Sequence, residues 1–110
     1  MAVFKRTSAL RDLVEHYLYL AENADDAVAD RFLANAEASF RDLANQPHMG
    51  APVATRRAEL AGMRRWRVKD FEHHLIFYFP RSDGVSIIRV LHANQDWWRA
   101  LGVEPAPPSG

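Results

Sequence analysis

Basic side chains at alternating positions are the residues of this chain best suited to bind another molecule. Arg65, Arg67 and Lys69 alternate with Trp66 and Val68, and a period of two is typical of a β-strand. One face of this strand would therefore be cationic and suited to an anionic or acidic partner. The same pattern is typical of a solvated edge strand whose charges prevent aggregation, so both interpretations stay open.

Arg64 and Arg89 are further cations of the predicted sheet, and His92 is the histidine near its end. Arg89 lies in an apolar segment, so it must reach solvent or pair with a carboxylate, for which Asp96 and Glu72 are candidates. His92 is expected to be a hydrogen-bonded residue that closes a strand rather than a catalytic group.

Aromatic and apolar residues outside the predicted core are candidates for partner binding. Trp97 and Trp98 are adjacent, so at most one can pack fully inward, and aromatic residues are enriched at interface hot spots. Tyr19 lies off the apolar stripe of its predicted helix and Leu20 lies at its margin. They are either ordinary surface residues or part of a groove that receives a partner's helix.

The chain has five histidines and no cysteine. His73 and His74 are adjacent in a predicted strand and face opposite ways, which makes them poor joint metal ligands. The sequence therefore predicts no metal and no cofactor.

Composition indicates a single domain. The chain has 110 residues, of which 48% are apolar and 25% charged, as in ordinary globular proteins. We expect no secretory leader and no membrane span, and the absence of cysteine fits the cytoplasm. A formal net charge of zero argues against bulk binding of nucleic acid.

The charges are separated along the chain. Residues 1–55 hold five Lys/Arg and eight Asp/Glu, a net charge of −3, whereas residues 56–110 hold nine and six, a net charge of +3. Such separation favours docking to a partner.

Two amphipathic helices are predicted before the sheet. Thr7 or Ser8 supplies the N-cap of the first, which runs to about Asn23, and Asp25 or Asp26 caps the second, which runs to about Asn45. The first has the apolar stripe Leu10, Leu13, Val14, Tyr17, Leu18 and Ala21, and the second has Val28, Phe32, Leu33, Ala36, Phe40 and Leu43. Spacing of three and four residues places each set on one predicted buried face.

In the sequence, one short strand is predicted before this pair of helices and three after it. Ala2 to Lys5 is predicted as a first strand, and further strands are predicted from Met63 to Lys69, from Leu75 to Phe79 and from Val85 to His92. Arg89 is expected to share a strand face with Ile87 and Leu91, and Asp83-Gly84 to form a hairpin turn. Asp96 is expected to cap a short helix from Trp97 to Leu101, and the proline-rich tail, residues 103–110, to be disordered.

In the order of its predicted strands and helices, the chain resembles the ParE/RelE superfamily of toxins from type II toxin–antitoxin modules. The resemblance covers roughly residues 3 to 100. The resemblance rests on Ala9-Leu-Arg-Asp-Leu13, Pro47 with Gly50, Gly62-Met-Arg64, Leu75-Ile-Phe-Tyr78, and Ile88-Arg-Val-Leu-His92 followed by Asp96. It implies an α+β, RelE/ParE-like fold over residues 1–102, in which an N-terminal helical hairpin packs on a small antiparallel sheet with a short C-terminal helix.

The two branches of the superfamily imply different functions. RelE-like toxins are ribosome-dependent ribonucleases that use sheet cations and a C-terminal tyrosine, whereas ParE-like toxins poison DNA gyrase without known nuclease activity. This chain has no tyrosine after Tyr78, which favours the ParE branch, a non-enzymatic inhibitor of gyrase. If the chain were a nuclease, Arg64, Arg89 and His92 would carry the reaction.

The ParE resemblance implies two protein partners. Gyrase would meet the target-binding residues Arg65, Arg67, Lys69, Arg89, Trp97 and Trp98. A cognate antitoxin, ParD-like with a DNA-binding N-terminal part, would meet Tyr19 and Leu20, so that nucleic acid is contacted weakly or through the antitoxin. A third possibility is a homologue that has lost its lethal surface and keeps only antitoxin binding.

Overall fold

The computed structural model describes residues 2–103, in which two long helices precede most of the sheet. The helices are α1 (Thr7–Asn23), α2 (Asp26–Asn45) and the short α3 (Trp97–Ala100). The strands are β1 (Ala2–Lys5), β2 (Ala51–Pro52), β3 (Arg64–Val68), β4 (Phe71–Arg81) and β5 (Gly84–His92), with a 3-10 turn at Ala58–Leu60. The predicted α+β order is confirmed, and β2 and the 3-10 turn are additions. Except for Val103, the predicted tail lies outside the described residues.

The strands form one sheet in the order β1-β5-β4-β3-β2. β2 to β5 are joined antiparallel, as predicted, whereas β1 pairs with β5 in parallel. Parallel neighbours need a long connection, which the two helices and the other strands supply. The sheet is therefore mixed at the β1 edge.

Gly84 allows β1 to approach the turn between β4 and β5. Its φ is +144°, and a Cβ atom at this position would collide with the carbonyl oxygen of Ala2. The Ala2 N–H donates to the Asp83 carbonyl at 2.7 Å. The predicted Asp-Gly turn thus also positions the first strand.

Both faces of the sheet are covered. The helices bury Phe32, Phe40 and Leu43 against Ile76 and Tyr78 on one face. On the other face, the segment before β3 and the end of α3 bury Leu60, Met63 and Leu101 against Phe77, Ile88 and Leu91. The predicted strand from Leu75 to Phe79 lies within β4, in the middle of the sheet, and it is covered on both faces.

The predicted span of α1 is correct, but its predicted buried face is wrong in part. Of the six residues of its predicted apolar stripe, Leu13 is buried and Tyr17 and Ala21 are half-buried. Leu10, Val14 and Leu18 are 47%, 58% and 54% exposed, whereas Ala9, Asp12 and Leu13 are buried. The helix is rotated because two polar side chains bind β5: Asp12 accepts the Val90 N–H at 2.9 Å, and His16 Nε2 lies 2.7 Å from the Val90 carbonyl oxygen.

Among the helices of residues 2–103, only α2 has the side-chain N-cap hydrogen bond that the sequence predicts. Asp25 accepts the Val28 N–H at 2.8 Å, as predicted. Arg6 occupies the N-cap of α1 without a side-chain cap, because the Ser8 hydroxyl instead donates to the Ile88 carbonyl. The predictions for Thr7 and Ser8 are therefore wrong. Asp96 occupies the N-cap position of α3, as predicted, but its side chain makes no capping hydrogen bond.

Candidate functional site

The cationic edge, which comprises Arg65, Arg67 and Lys69, lies at the far side of the sheet from β1. All three residues are exposed. β2 pairs only with Arg64 and Arg65 of β3, so within residues 2–103 the outer side of the following residues has no strand partner. A partner therefore has direct access to these cations.

Aromatic rings accompany the cationic edge. The guanidinium carbon of Arg65 lies 5.7 Å from the centre of the Trp97 ring, and that of Arg67 lies 4.7 Å from the Trp66 ring. Trp97 also lies 5.4 Å from Phe77 and 5.8 Å from Trp98. Trp97 and Trp98 are both half-buried, which places two predicted target-binding groups, Arg65 and Trp97, side by side.

A hollow of about 410 Å³ indents the cationic edge, and Arg65 and Arg67 line it. Glu72 is the acidic residue of its lining, and Met49 and Leu75 are apolar. Two cations and one carboxylate leave this hollow with a net positive charge, which suits an acidic side chain of a partner.

Arg64 lies in β3 but binds the backbone of the segment before β2. Its Nη1 donates to the Gly50 carbonyl at 2.6 Å and to the His48 carbonyl at 3.2 Å. The guanidinium satisfies carbonyl groups that follow the end of α2. This role is structural, and it removes Arg64 from the set of free sheet cations.

Arg89 forms an ion pair with Asp12 of α1 and not with Asp96 or Glu72. Nε and Nη2 donate to the two carboxylate oxygens at 2.7 and 3.0 Å, and this bidentate hydrogen bonding raises the pKa of Arg89. Within the described residues, the guanidinium is thus held at the interface of α1 and β5.

A shift in strand register explains the orientation of Arg89. Phe77 pairs with Arg89 while Tyr78 pairs with Ile87, so Ile88 is an extra residue. Such bulges re-aim side chains. Ile87 packs in the core on the helix side and Leu91 in the core on the opposite side, so the expected shared face of Arg89, Ile87 and Leu91 is wrong.

His92 ends β5 in a local hydrogen-bonded turn. Its Nδ1 accepts the Asn94 N–H at 3.0 Å, and its own N–H donates to Gln95 Oε1 at 2.6 Å. Burial, together with the nearby His16 and His73, lowers the pKa of His92. Arg64, Arg89 and His92 thus bind three separate groups and are not brought together as one phosphate-binding cluster.

Tyr78, the last tyrosine of the chain, has a buried hydroxyl. It donates to the Pro47 carbonyl at 2.8 Å and accepts the Gly50 N–H at 2.9 Å. Burial raises the pKa of Tyr78. Its hydroxyl fixes the segment after α2 and is not available to a substrate in this arrangement.

Tyr19 and Leu20 line a cavity of about 450 Å³ between α1 and the ends of β4 and β5. Tyr19 is 64% exposed, and Leu20 is half-buried against the core. We call this cavity the histidine pocket, and its lining comprises Glu15, His16, Tyr19, Leu20, His74, His92, Asn94 and Gln95. The two residues predicted to bind an antitoxin therefore share one concave surface.

Three histidine rings meet in the histidine pocket. The ring centres of His16 and His74 are 4.8 Å apart, and those of His74 and His92 are 4.9 Å apart. His74 is 7% exposed, and its Nδ1 atom is buried without a hydrogen-bond partner. Burial first, and then the neighbouring histidines, lower the pKa of His74 to about 4.

The sequence reasoning missed the roles of Asp12, His16 and His74. Asp12 and His16 are four residues apart and therefore share a helix face, and two polar residues on the face opposite an apolar stripe suggested solvent. The adjacent His73 and His74 gave a better signal, because their predicted opposite directions agree with an exposed His73 and a buried His74.

Residues 2–103 contain no group of three or more His, Cys, Asp or Glu side chains placed to hold a metal ion. In the same part of the chain, no helix is long and apolar enough to cross a membrane.

Comparison with known proteins identifies the family. Over residues 3–97, the sequence matches the family described as the ParE toxin of type II toxin-antitoxin system, parDE. The fold is similar to a solved structure described as the chromosomal ParDE TA system from P. aeruginosa, with a TM-score of 0.67 and 14% sequence identity over 84% of this chain and 95% of that chain. Among curated proteins, none matches the sequence. Because the family match spans most of the chain, this protein belongs to the ParE toxin family of type II toxin–antitoxin systems.

Proposed function

We propose that this ParE-family toxin inhibits DNA gyrase in the bacterial cytoplasm by binding it through the cationic edge. The observation that carries the proposal is the exposure of Arg65 and Arg67 in β3 and of Lys69 in the turn that follows this strand. Beyond Arg65, the outer side of β3 is not paired with β2. Trp97 and Trp98 extend the same surface with aromatic groups, which are frequent anchors of protein interfaces. Docking there would stabilise the cleaved gyrase–DNA complex.

The contacts of the other candidate residues favour a binding mechanism over RNA cleavage. Arg64 binds backbone carbonyls, Arg89 binds Asp12 and His92 accepts a backbone N–H. Phosphodiester cleavage would need such groups to converge on one phosphate. Arg89, which the sequence suggested as a target-binding residue, is better explained as a structural ion pair.

A cognate antitoxin, ParD-like with a DNA-binding N-terminal part, is the proposed neutralising partner. The exposed Leu10, Val14 and Leu18 give α1 an apolar surface that a partner's amphipathic helix can cover. The exposed Tyr19 lies on another face of the helix, where it lines the histidine pocket with Leu20. Antitoxin bound on α1, and continuing over the sheet, would block the approach of gyrase.

The double substitution Arg65→Glu/Arg67→Glu tests the gyrase proposal. Reversing two charges on the cationic edge should abolish growth arrest when the toxin is induced without antitoxin, because the acidic partner surface would be repelled. Plasmid topology measured on a gel should show lost supercoiling or gyrase-linked breaks with the wild type only. Circular dichroism should show that the variant is folded.

The matched control is Arg11→Glu/Arg41→Glu, which makes the same charge change at exposed positions of α1 and α2. This control should remain toxic. Retained toxicity of the folded Arg65→Glu/Arg67→Glu variant would contradict binding through the cationic edge. Intact plasmid topology with codon-phased mRNA breaks that require ribosomes would instead assign the protein to the RelE-like nucleases.

A further inference from the structure

The histidine pocket has walls that are neutral and largely apolar when its histidines are neutral. Leu20, the ring of Tyr19 and three imidazoles belong to its lining. Glu15 carries the single formal charge of the lining residues. A carboxylate from a partner would be repelled by Glu15, whereas an uncharged side chain would lose little by leaving water.

The outer rim of the histidine pocket is acidic. Glu15, Tyr19 and Glu22 follow one another at spacings of four and three residues, which places them on one face of α1. All three are exposed. A basic residue beside the inserted side chain would therefore be attracted to this rim.

The ring nitrogens inside the histidine pocket differ in whether they have a hydrogen-bond partner. His16 is bound to the Val90 carbonyl, and His92 Nδ1 accepts the Asn94 N–H. His74 Nδ1 is buried with no hydrogen-bond partner. The site thus has two histidines fixed by the fold and a third that is enclosed between them.

We infer that the histidine pocket anchors one uncharged, mostly apolar side chain of the antitoxin, with a neighbouring basic residue facing Glu15, and that this binding weakens as His92 and, in stronger acid, His74 take up protons. The inference rests on the antitoxin partnership proposed above and specifies its chemistry. It adds an acid-sensitive contact that is separate from the cationic edge.

The surroundings of His74 determine the direction of the pH effect. His16 faces it from α1, His92 from β5 and His73 from its own strand, while Phe32 of α2 and Phe71 present uncharged rings. Glu15 at the rim is the acidic member of the pocket lining. An inserted apolar side chain excludes the water that would solvate an imidazolium, so binding expels protons and becomes weaker in acid.

The experiment measures the affinity of the purified chain for its co-expressed cognate antitoxin by calorimetry between pH 7.5 and 5.5. Expulsion of one proton weakens binding by about tenfold for each pH unit below the pKa of the histidine. For the wild type we expect affinity to fall as the pH is lowered, by up to about tenfold over this range, because the pKa of His92 lies below its ordinary value.

The double variant His16→Gln/His92→Asn should show a much flatter pH dependence. Glutamine can keep the hydrogen bond to Val90, and asparagine can keep an acceptor for Asn94, while neither titrates. His74 remains, but its pKa of about 4 lies below the measured range. The control Leu18→Ala alters an exposed residue of the same helix outside the pocket lining. Because Leu18 belongs to the apolar surface proposed for the antitoxin, this substitution should lower the affinity equally at every pH and keep the wild-type pH slope.

A second variant tests occupancy of the pocket independently of pH. Tyr19→Lys places a cation at the rim, where it repels the expected basic residue of the antitoxin, and should weaken binding at pH 7.5 by about tenfold or more. An antitoxin that binds the wild type, Tyr19→Lys and the double histidine variant with one affinity and one pH slope would overturn the pocket inference and leave the partnership intact. Failure of the antitoxin to bind the wild-type chain at any pH would overturn both.

Discussion

Three hydrogen bonds to the carboxylate of Asp12 join α1 to β5 at the scale of single residues. Two come from the guanidinium of Arg89, and the third comes from the Val90 N–H. The sequence indicated that an arginine in an apolar strand needs a carboxylate. It did not identify Asp12, because the partners are 77 positions apart and Asp12 lies on the side of α1 that the apolar pattern assigned to solvent.

Arg89→Ala should lower the free energy of unfolding by about 3 kcal/mol, because it leaves the buried Asp12 carboxylate without its cation. Urea denaturation monitored by circular dichroism would measure the change. The control Arg81→Ala breaks an ion pair whose side chains are 44% and 53% exposed, and should cost under about 1 kcal/mol. Equal effects of the two substitutions would contradict a structural role for the Arg89–Asp12 pair.

At the scale of elements, the rotation of α1 shows that local sequence signals define the span of a helix but not which of its faces is buried. The predicted spans of α1 and α2 agree with the structure because apolar periodicity and the short polar connector are local signals. The buried face of α1 is not local, since Asp12 and His16 fix it through Val90 of a distant strand. Counting apolar residues therefore selected Leu10, Val14 and Leu18, which the fold leaves exposed for a partner.

Two substitutions in α1 distinguish the predicted face from the observed one. Val14→Lys should change the free energy of unfolding by less than about 0.5 kcal/mol, because Val14 is 58% exposed. Leu13→Ala should cost about 2 to 5 kcal/mol, because Leu13 is 5% exposed and packs in the core. Thermal denaturation of both variants would measure this, and a larger loss for Val14→Lys would contradict the observed rotation.

The whole molecule places its two proposed surfaces at different sites. The histidine pocket lies where α1 meets the ends of β4 and β5, and the cationic edge lies along β3. The separation of charge between the halves of the sequence anticipated the division between an acidic helical layer and a basic strand. A groove at Tyr19 and Leu20 was one of the alternatives that the sequence offered. The histidine cluster inside it was not predicted, since it needs His16, His74 and His92 from three elements to meet.

Acid should destabilise the whole fold through His74, which contacts both helices and two strands. Its pKa is about 4 when folded and 6.5 in an ordinary environment, so the unfolded chain binds the proton more tightly. The contribution of neutral His74 to the free energy of unfolding is therefore fully present above about pH 6.5. It is lost as the pH decreases toward 4, by about 3 kcal/mol in total.

Denaturant unfolding measured at several pH values would test this dependence. His74→Phe should remove most of the loss between pH 6.5 and 4, because phenylalanine does not titrate. His73→Gln, which changes the exposed neighbour, should keep it. An unchanged acid dependence in a folded His74→Phe variant would contradict the assignment.

The pairing of β1 with β5 has a consequence for the order in which the protein becomes active during translation. Ala2 to Lys5 lie beside Gly84 to Ile87, so the first strand gains its neighbour only after most of the chain has left the ribosome. The helical hairpin emerges earlier, and with it the apolar side of α1. A nascent toxin would thus expose the surface proposed to bind the antitoxin before the sheet that carries the cationic edge is complete. The antitoxin could therefore bind before the toxin is able to act.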